Sequence, residues 1–123
     1  MGSRERRRYI RFPYKMKSEL VVQDKKYAFD EIINLGIGGC LLPVEVNLDP
    51  GTPCTLRIIL KKTGNEPTVT VDGILVRSER GSVAIKFTRI DLESLHHLQK
   101  IARYNSPDPD KVEEEIKEHP GLI

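Results

Sequence analysis

"TVTVDGILVRS", residues 68–78, reads as one long strand with a fault in it. Val69 and Val71 keep one alternating phase, whereas Ile74 and Val76 keep the opposite one. Successive side chains of a strand point to opposite faces, so a change of phase sends the apolar set to the wrong side of a sheet. One extra residue at Asp72-Gly73 restores a common inward face. A β-bulge of that kind is what bends the strands of small barrels.

The flanking segments carry the same alternation. After the turn "ERGS", Val83, Ile85 and Phe87 form the inward face of a last strand. Upstream, the turn "TGNEP" is preceded by "CTLRIILKK", in which Cys54, Leu56, Ile58 and Leu60 point one way, and by a loop with turn chemistry at Asn47, Asp49, Pro50 and Gly51. Earlier still, a strand near 18 to 23, a turn at Asp24-Lys25-Lys26 and a strand from Tyr27 to Ile33 are predicted. In the last of these Tyr27, Phe29, Glu31 and Ile33 share one face, and Ala28, Asp30 and Ile32 the other. The glycine-rich "NLGIGG" then leads into a strand from Cys40 to Val44. Six strands with short hairpin connections make the fold all-β, a closed or nearly closed six-stranded antiparallel barrel.

One helix is appended. Asp91 is placed to cap it, and Leu92, Leu95, Leu98, Ile101 and Ala102 form an apolar stripe at helical spacing that should lie against the barrel. Asn105, Ser106 and two prolines end it. Residues 110 to 118 form at most a second short helix with Val112 and Ile116 as its apolar pair, barely stable alone. The expected organisation is a flexible basic arm over 1–17, the barrel with its helix over 18–105, and an acidic tail or short helix over 106–123.

A chain of 123 residues, 38% hydrophobic and 31% charged, fits one soluble domain. No stretch approaches the roughly 20 apolar residues of a membrane-spanning helix, and no apolar signal follows the basic start, so a cytoplasmic location is expected. The net charge of +2 conceals an asymmetry: positions 4 to 17 hold seven Lys or Arg against one Glu, and positions 108 to 118 hold six acids against two lysines. The front of the chain seeks anions.

No enzyme is expected. Cys40 and Cys54 lack metal-site spacing and read as small buried hydrophobes. His96 and His97 point about 100° apart on a helix and do not share an ion. The glycines at 36, 38 and 39 do not complete a dinucleotide loop, and a strand rather than a helix follows them. That turn is either a connection using positive φ or a place where backbone meets a flat or charged ligand.

The arm and the turn together resemble a known pattern. PilZ domains carry R-x-x-x-R just before the barrel and [D/N]-x-S-x-x-G between the second and third strands. Arg7-Arg8-Tyr9-Ile10-Arg11 matches the first motif fully, and Asn34-Leu35-Gly36-Ile37-Gly38-Gly39 matches the second at its first and last fixed positions. The resemblance covers roughly residues 4 to 103. It implies a PilZ-type barrel and a receptor for the bacterial second messenger cyclic di-GMP, or for a related cyclic dinucleotide, with Arg7, Arg8, Arg11, Asn34, Gly36 and Gly39 as ligand-binding residues and no cofactor or metal. An arginine fork meets the O6 and N7 acceptors of guanine and can stack on the purine. The ligand's two phosphates offer charge-assisted bonds. The implied mechanism is closure of a loosely held arm over the ligand, read by a downstream effector protein that the sequence does not name. The departure is Gly36, which stands where the family usually has serine. One missing net hydrogen bond is worth about 0.5–1.5 kcal/mol, so binding should weaken roughly two- to tenfold.

Two other readings compete. One is a PilZ adaptor that binds partner proteins without ligand. The other is a barrel for single-stranded nucleic acid, with Tyr9, Phe12 and Tyr14 as stacking groups. Basic residues thin out after Lys26, so nucleic acid is not the expected partner.

Overall fold

The computed structural model describes residues 11–59 and 68–118. In chain order its elements are β1 (Phe12–Tyr14), β2 (Ser18–Val22), β3 (Lys25–Phe29), β4 (Ile32–Leu35), β5 (Gly39–Leu42), β6 (Pro53–Ile59), β7 (Thr68–Glu79), β8 (Ser82–Ile90), α1 (Leu92–Asn105) and α2 (Pro109–Glu118). The strands make one antiparallel sheet in the order β1-β4-β5-β8-β7-β6-β2-β3. β3, at one edge, passes through Asp30 and Glu31 directly into β4, beside the other edge, so the sheet closes into a barrel. Taken as halves of one bent strand, β3 and β4 leave the six barrel strands expected, with β1 added outside β4.

The expected continuous strand from Tyr27 to Ile33 is corrected by that corner. Tyr27 and Phe29 pack on the core, but the phase then slips, and Ile32 is buried while Ile33 is 37% exposed. The two halves pair with different neighbours, β2 and β5, and the corner between them absorbs the change. The preceding turn also sits earlier than predicted. Val22 pairs with Lys25, which leaves Gln23 and Asp24 as a two-residue turn with φ of 50° and 68°. Positive φ at both central positions matches the right-handed twist of a hairpin.

The fault in "TVTVDGILVRS" is real, but its resolution differs from the expectation. Val69, Val71, Gly73 and Leu75 are the buried positions, so β7 holds its phase through Asp72-Gly73, and Ile74 and Val76 do not turn inward. The register does slip there: Asp72 pairs with Arg89 and Gly73 with Phe87, which makes Thr88 of β8 the extra residue. A second slip makes Val76 extra on β7, and that side chain is 43% exposed. Gly73 is the reason the first phase holds. A Cβ there would lie 2.5 Å from the Lys86 carbonyl oxygen, so β7 and β8 approach too closely for any side chain. The burial of Val83, Ile85 and Phe87 on β8 and of Cys54, Leu56 and Ile58 on β6 is as read; Leu60 and the turn "TGNEP" lie outside the described residues.

Asp91 caps α1, its Oδ2 accepting from the Ser94 amide at 3.0 Å, and that bond holds its carboxyl below the usual carboxylate range. Leu95, Leu98, Ile101 and Ala102 are buried in the common core. Leu92 is a correction, being 70% exposed: at the first helical position it projects past the barrel, and Ser94 takes the inward place. The Thr70 amide of β7 donates to Ser94 Oγ at 3.0 Å, tying helix to sheet. α2 docks on this assembly through buried Val112 and half-buried Ile116, and Arg103 Nε meets Glu113 Oε2 at 2.6 Å. Among the described residues no helix is long and apolar enough to cross a membrane.

Candidate functional site

The site is built at the root of the basic arm. Phe12 is fully buried and pairs in register with Leu35, and its ring meets Tyr14 edge-on with centroids 6.4 Å apart. Burial also raises the Tyr14 phenol pKa. Residues 12–14 of the expected arm are thus strand. Continuing their register by one residue sets exposed Arg11 beside Gly36. The charge of Arg11 reaches Cys40, the pairing partner of Leu35, which supports that placement.

The glycine turn joins β4 to β5. The Gly36 amide donates to the Gly39 carbonyl at 2.9 Å, the Phe87 amide of β8 donates to the Gly38 carbonyl at 3.0 Å, and Ile37 folds inward to 1% exposure. The reading that such a turn needs positive φ is corrected: among the described glycines the left-handed φ values belong to Gly51 (93°) and Gly81 (80°). What Gly39 satisfies is space. A Cβ there would stand 2.5 Å from the Ile85 carbonyl oxygen.

Leu35 and Cys40 face inward, so Asn34 and its partner Leu41 face outward, as the alternation of a strand requires. Asn34 is half-buried, and among the described residues its carboxamide has no hydrogen-bond partner. The structure therefore brings Arg11, Asn34, Gly36 and Gly39 together at one end of the β4–β5 hairpin, with Arg11 exposed, Asn34 half-buried and the two glycines buried. Arg7 and Arg8 lie outside the described residues. The strand on the far side of the turn supplies a residue that the motifs do not contain: Gly39 pairs with Lys86, exposed on β8.

Among the described residues of this patch there is no serine, cysteine or histidine side chain on the surface. The two thiols are buried and unreactive in character. Burial, with smaller help from Asp72, pushes the Cys54 pKa up to about 11, and burial raises Cys40 further. The patch offers cations and an amide with free donor and acceptor, which suit a hydrogen-bonding anion.

Comparison with known proteins gives the family. A family model described as PilZ domain matches residues 5–104. Among solved structures, the chain is similar to the Bacillus subtilis inhibitor of motility MotI/DgrA (TM-score 0.61, 14% identity, 80% of this chain and 50% of that one). It is also similar to the PilZ domain of CeSA from a cellulose-synthesizing bacterium (TM-score 0.58, 17% identity, 77% of this chain and 93% of that one). The chain thus spans half the length of the MotI/DgrA chain and nearly all of the CeSA domain. From the family match over most of its length, the chain belongs to the PilZ domain family, known as cyclic di-GMP receptors and adaptors.

Proposed function

We propose that this chain is a cyclic di-GMP receptor that grips the ligand between Arg7, Arg8 and Arg11 of its arm and the Asn34–Gly39 turn, and signals to a partner protein as the arm closes. The observation that carries the reading is the register of β1 on β4, which roots the arginine arm beside that turn. Arg7 is four residues from Arg11, a span of at most about 14 Å, so both arginines reach a ligand on the same patch. Asn34 Oδ1 accepts from a guanine edge or its amide donates to one, and the guanidinium groups meet the O6/N7 edge and the phosphates. Ordering the arm costs free energy, which these charged contacts must exceed.

Titration calorimetry of the purified chain with cyclic di-GMP tests it. Heat is expected at micromolar ligand, and Arg7→Ala or Arg11→Ala should remove it. No heat at high micromolar ligand overturns the receptor reading. The second reading, an adaptor that works without ligand, is favoured by one residue: Gly36 brings no hydroxyl to the patch.

A further inference from the structure

We infer that Lys86 is a phosphate-binding residue of this site, outside both sequence motifs. The inference rests on the receptor reading and adds to it.

The sheet register defines one row that runs from the residue before β1 to β7. The Phe12–Leu35 pairing continued by one residue sets Arg11 beside Gly36, Gly36 bonds Gly39 across the turn, Gly39 pairs with Lys86, and Lys86 pairs with Ile74. Neighbouring strands lie about 4.8 Å apart, so the Arg11 and Lys86 backbones are about 14 Å apart with two glycines between them. No side chain rises from the intervening positions. Two outward cations thus flank a pair of buried glycines, and half-buried Asn34 borders them on the same face.

The electrostatics of Lys86 point the same way. It is exposed, and among the described residues its ammonium has neither an ion pair nor a hydrogen bond. Its lateral neighbours are Gly39 and Ile74, and the next residues along the strand on its face are Ala84 and Thr88. None is acidic. The nearby acid on β7, Asp72, accepts from Thr55 Oγ1 at 2.9 Å and lies opposite Arg89, the other basic residue of β8, rather than opposite Lys86. An ammonium with no carboxylate paired to it is free to meet an external phosphate, and its four-carbon stem spans the one strand spacing to the Gly39 backbone. Arg11 and Lys86 then approach the ligand from opposite sides, Arg11 from the residue before β1 and Lys86 from β8.

The test compares cyclic di-GMP affinity of wild type, Lys86→Gln and Lys86→Arg by calorimetry, each at about 0.1 M and 0.5 M salt. The expected result is an affinity loss of about tenfold for Lys86→Gln, the lower end for a charge-assisted bond. Lys86→Arg should bind within about twofold of wild type, and the gap should narrow at high salt, where exposed charges are screened. Because Lys86 is exposed, all three should melt together, which separates a ligand contact from a fold effect. If wild type binds and Lys86→Gln binds equally well, the Lys86 assignment is overturned while the receptor reading stands. If wild type binds nothing, both fall.

Discussion

Replacing Gly39 by alanine tests the claim that space, and not backbone conformation, demands glycine in the turn. The added Cβ would start 2.5 Å from the Ile85 carbonyl oxygen, a separation real Cβ atoms essentially never show below 3.0 Å, so something must move by at least 0.5 Å (3.0 − 2.5). The obstacle is backbone in the middle of β8, flanked by β5 and β7, and cannot rotate away as a side chain would. β5 must therefore lift from β8. Overpacking of this kind costs about 1–3 kcal/mol. Stretching the Phe87 amide to Gly38 carbonyl bond, 3.0 Å in the native structure, adds about 0.5–1.5 kcal/mol. The expected loss is about 2–4 kcal/mol, a fall in Tm of roughly 10 °C or more for a domain this size. Urea denaturation followed by circular dichroism measures it, with Gly81→Ala as the comparison. There φ is 80° and nothing stands within 4 Å of the added carbon, so only the left-handed backbone penalty of about 1–2 kcal/mol applies. A Gly39→Ala protein within about 0.5 kcal/mol of wild type would refute the reasoning, since that is the scatter of neutral surface changes. The result also governs how binding data are read. If Gly39→Ala loosens β5, lost ligand affinity in that variant reports on the fold and does not make Gly39 a ligand contact.

Three further outcomes follow from the same geometry. Leu98→Ala removes a fully buried helix side chain and should cost about 2–5 kcal/mol, whereas Leu92→Ala, at a position 70% exposed, should change stability by less than about 0.5 kcal/mol; parallel urea melts decide. Asp91→Ala should lower Tm at pH 7. Because the folded carboxyl is held below the unfolded value of about 3.9, its stabilisation is present above that pH and lost as pH falls through the folded value, so the gap between the two proteins should narrow in melts taken at successively lower pH. On the receptor reading, Gly36→Ser should tighten cyclic di-GMP binding about two- to tenfold in calorimetry, the worth of one net hydrogen bond.

The barrel was legible because its signal is local. Leu20, Val22, Cys54, Leu56, Ile58, Val83, Ile85 and Phe87 alternate within single hairpins, and their burial follows the alternation. What failed was non-local. A phase error in "TVTVDGILVRS" can be repaired by an extra residue on either of two paired strands, and nothing in residues 68–78 says that the first belongs to β8, at Thr88. The corner at Asp30-Glu31 is hidden for the same reason, since only the pairing of β3 with β2 and of β4 with β5 shows that one apolar run serves two edges. In the candidate site, Arg11, Asn34, Gly36 and Gly39 were found through motif spacing. Lys86 carries no such mark, because its place beside Gly39 is set by a strand forty-seven residues downstream (86 − 39).

The acidic C-terminal segment raises one more question, whether its carboxylates compete with the ligand's phosphates for the basic arm. Deleting everything after Ser106 is the direct test, but the structure makes it ambiguous. Val112 is buried in the common core and Ile116 packs against it, so truncation exposes apolar surface that Leu98 and its neighbours share. Burying one such side chain is worth about 1.5–3 kcal/mol, and a destabilised barrel binds less well for reasons unrelated to charge. The Arg103–Glu113 contact at 2.6 Å would be lost too. Neutralising Asp110 and Glu114 instead removes charge from exposed positions and leaves Val112, Ile116 and Glu113 in place. If α2 is a docked structural element, Asp110→Asn with Glu114→Gln leaves both Tm and cyclic di-GMP affinity unchanged within about twofold, since exposed charges are heavily screened at physiological salt. A severalfold rise in affinity that disappears at high salt would mean that the helix holds the arm off the ligand by charge.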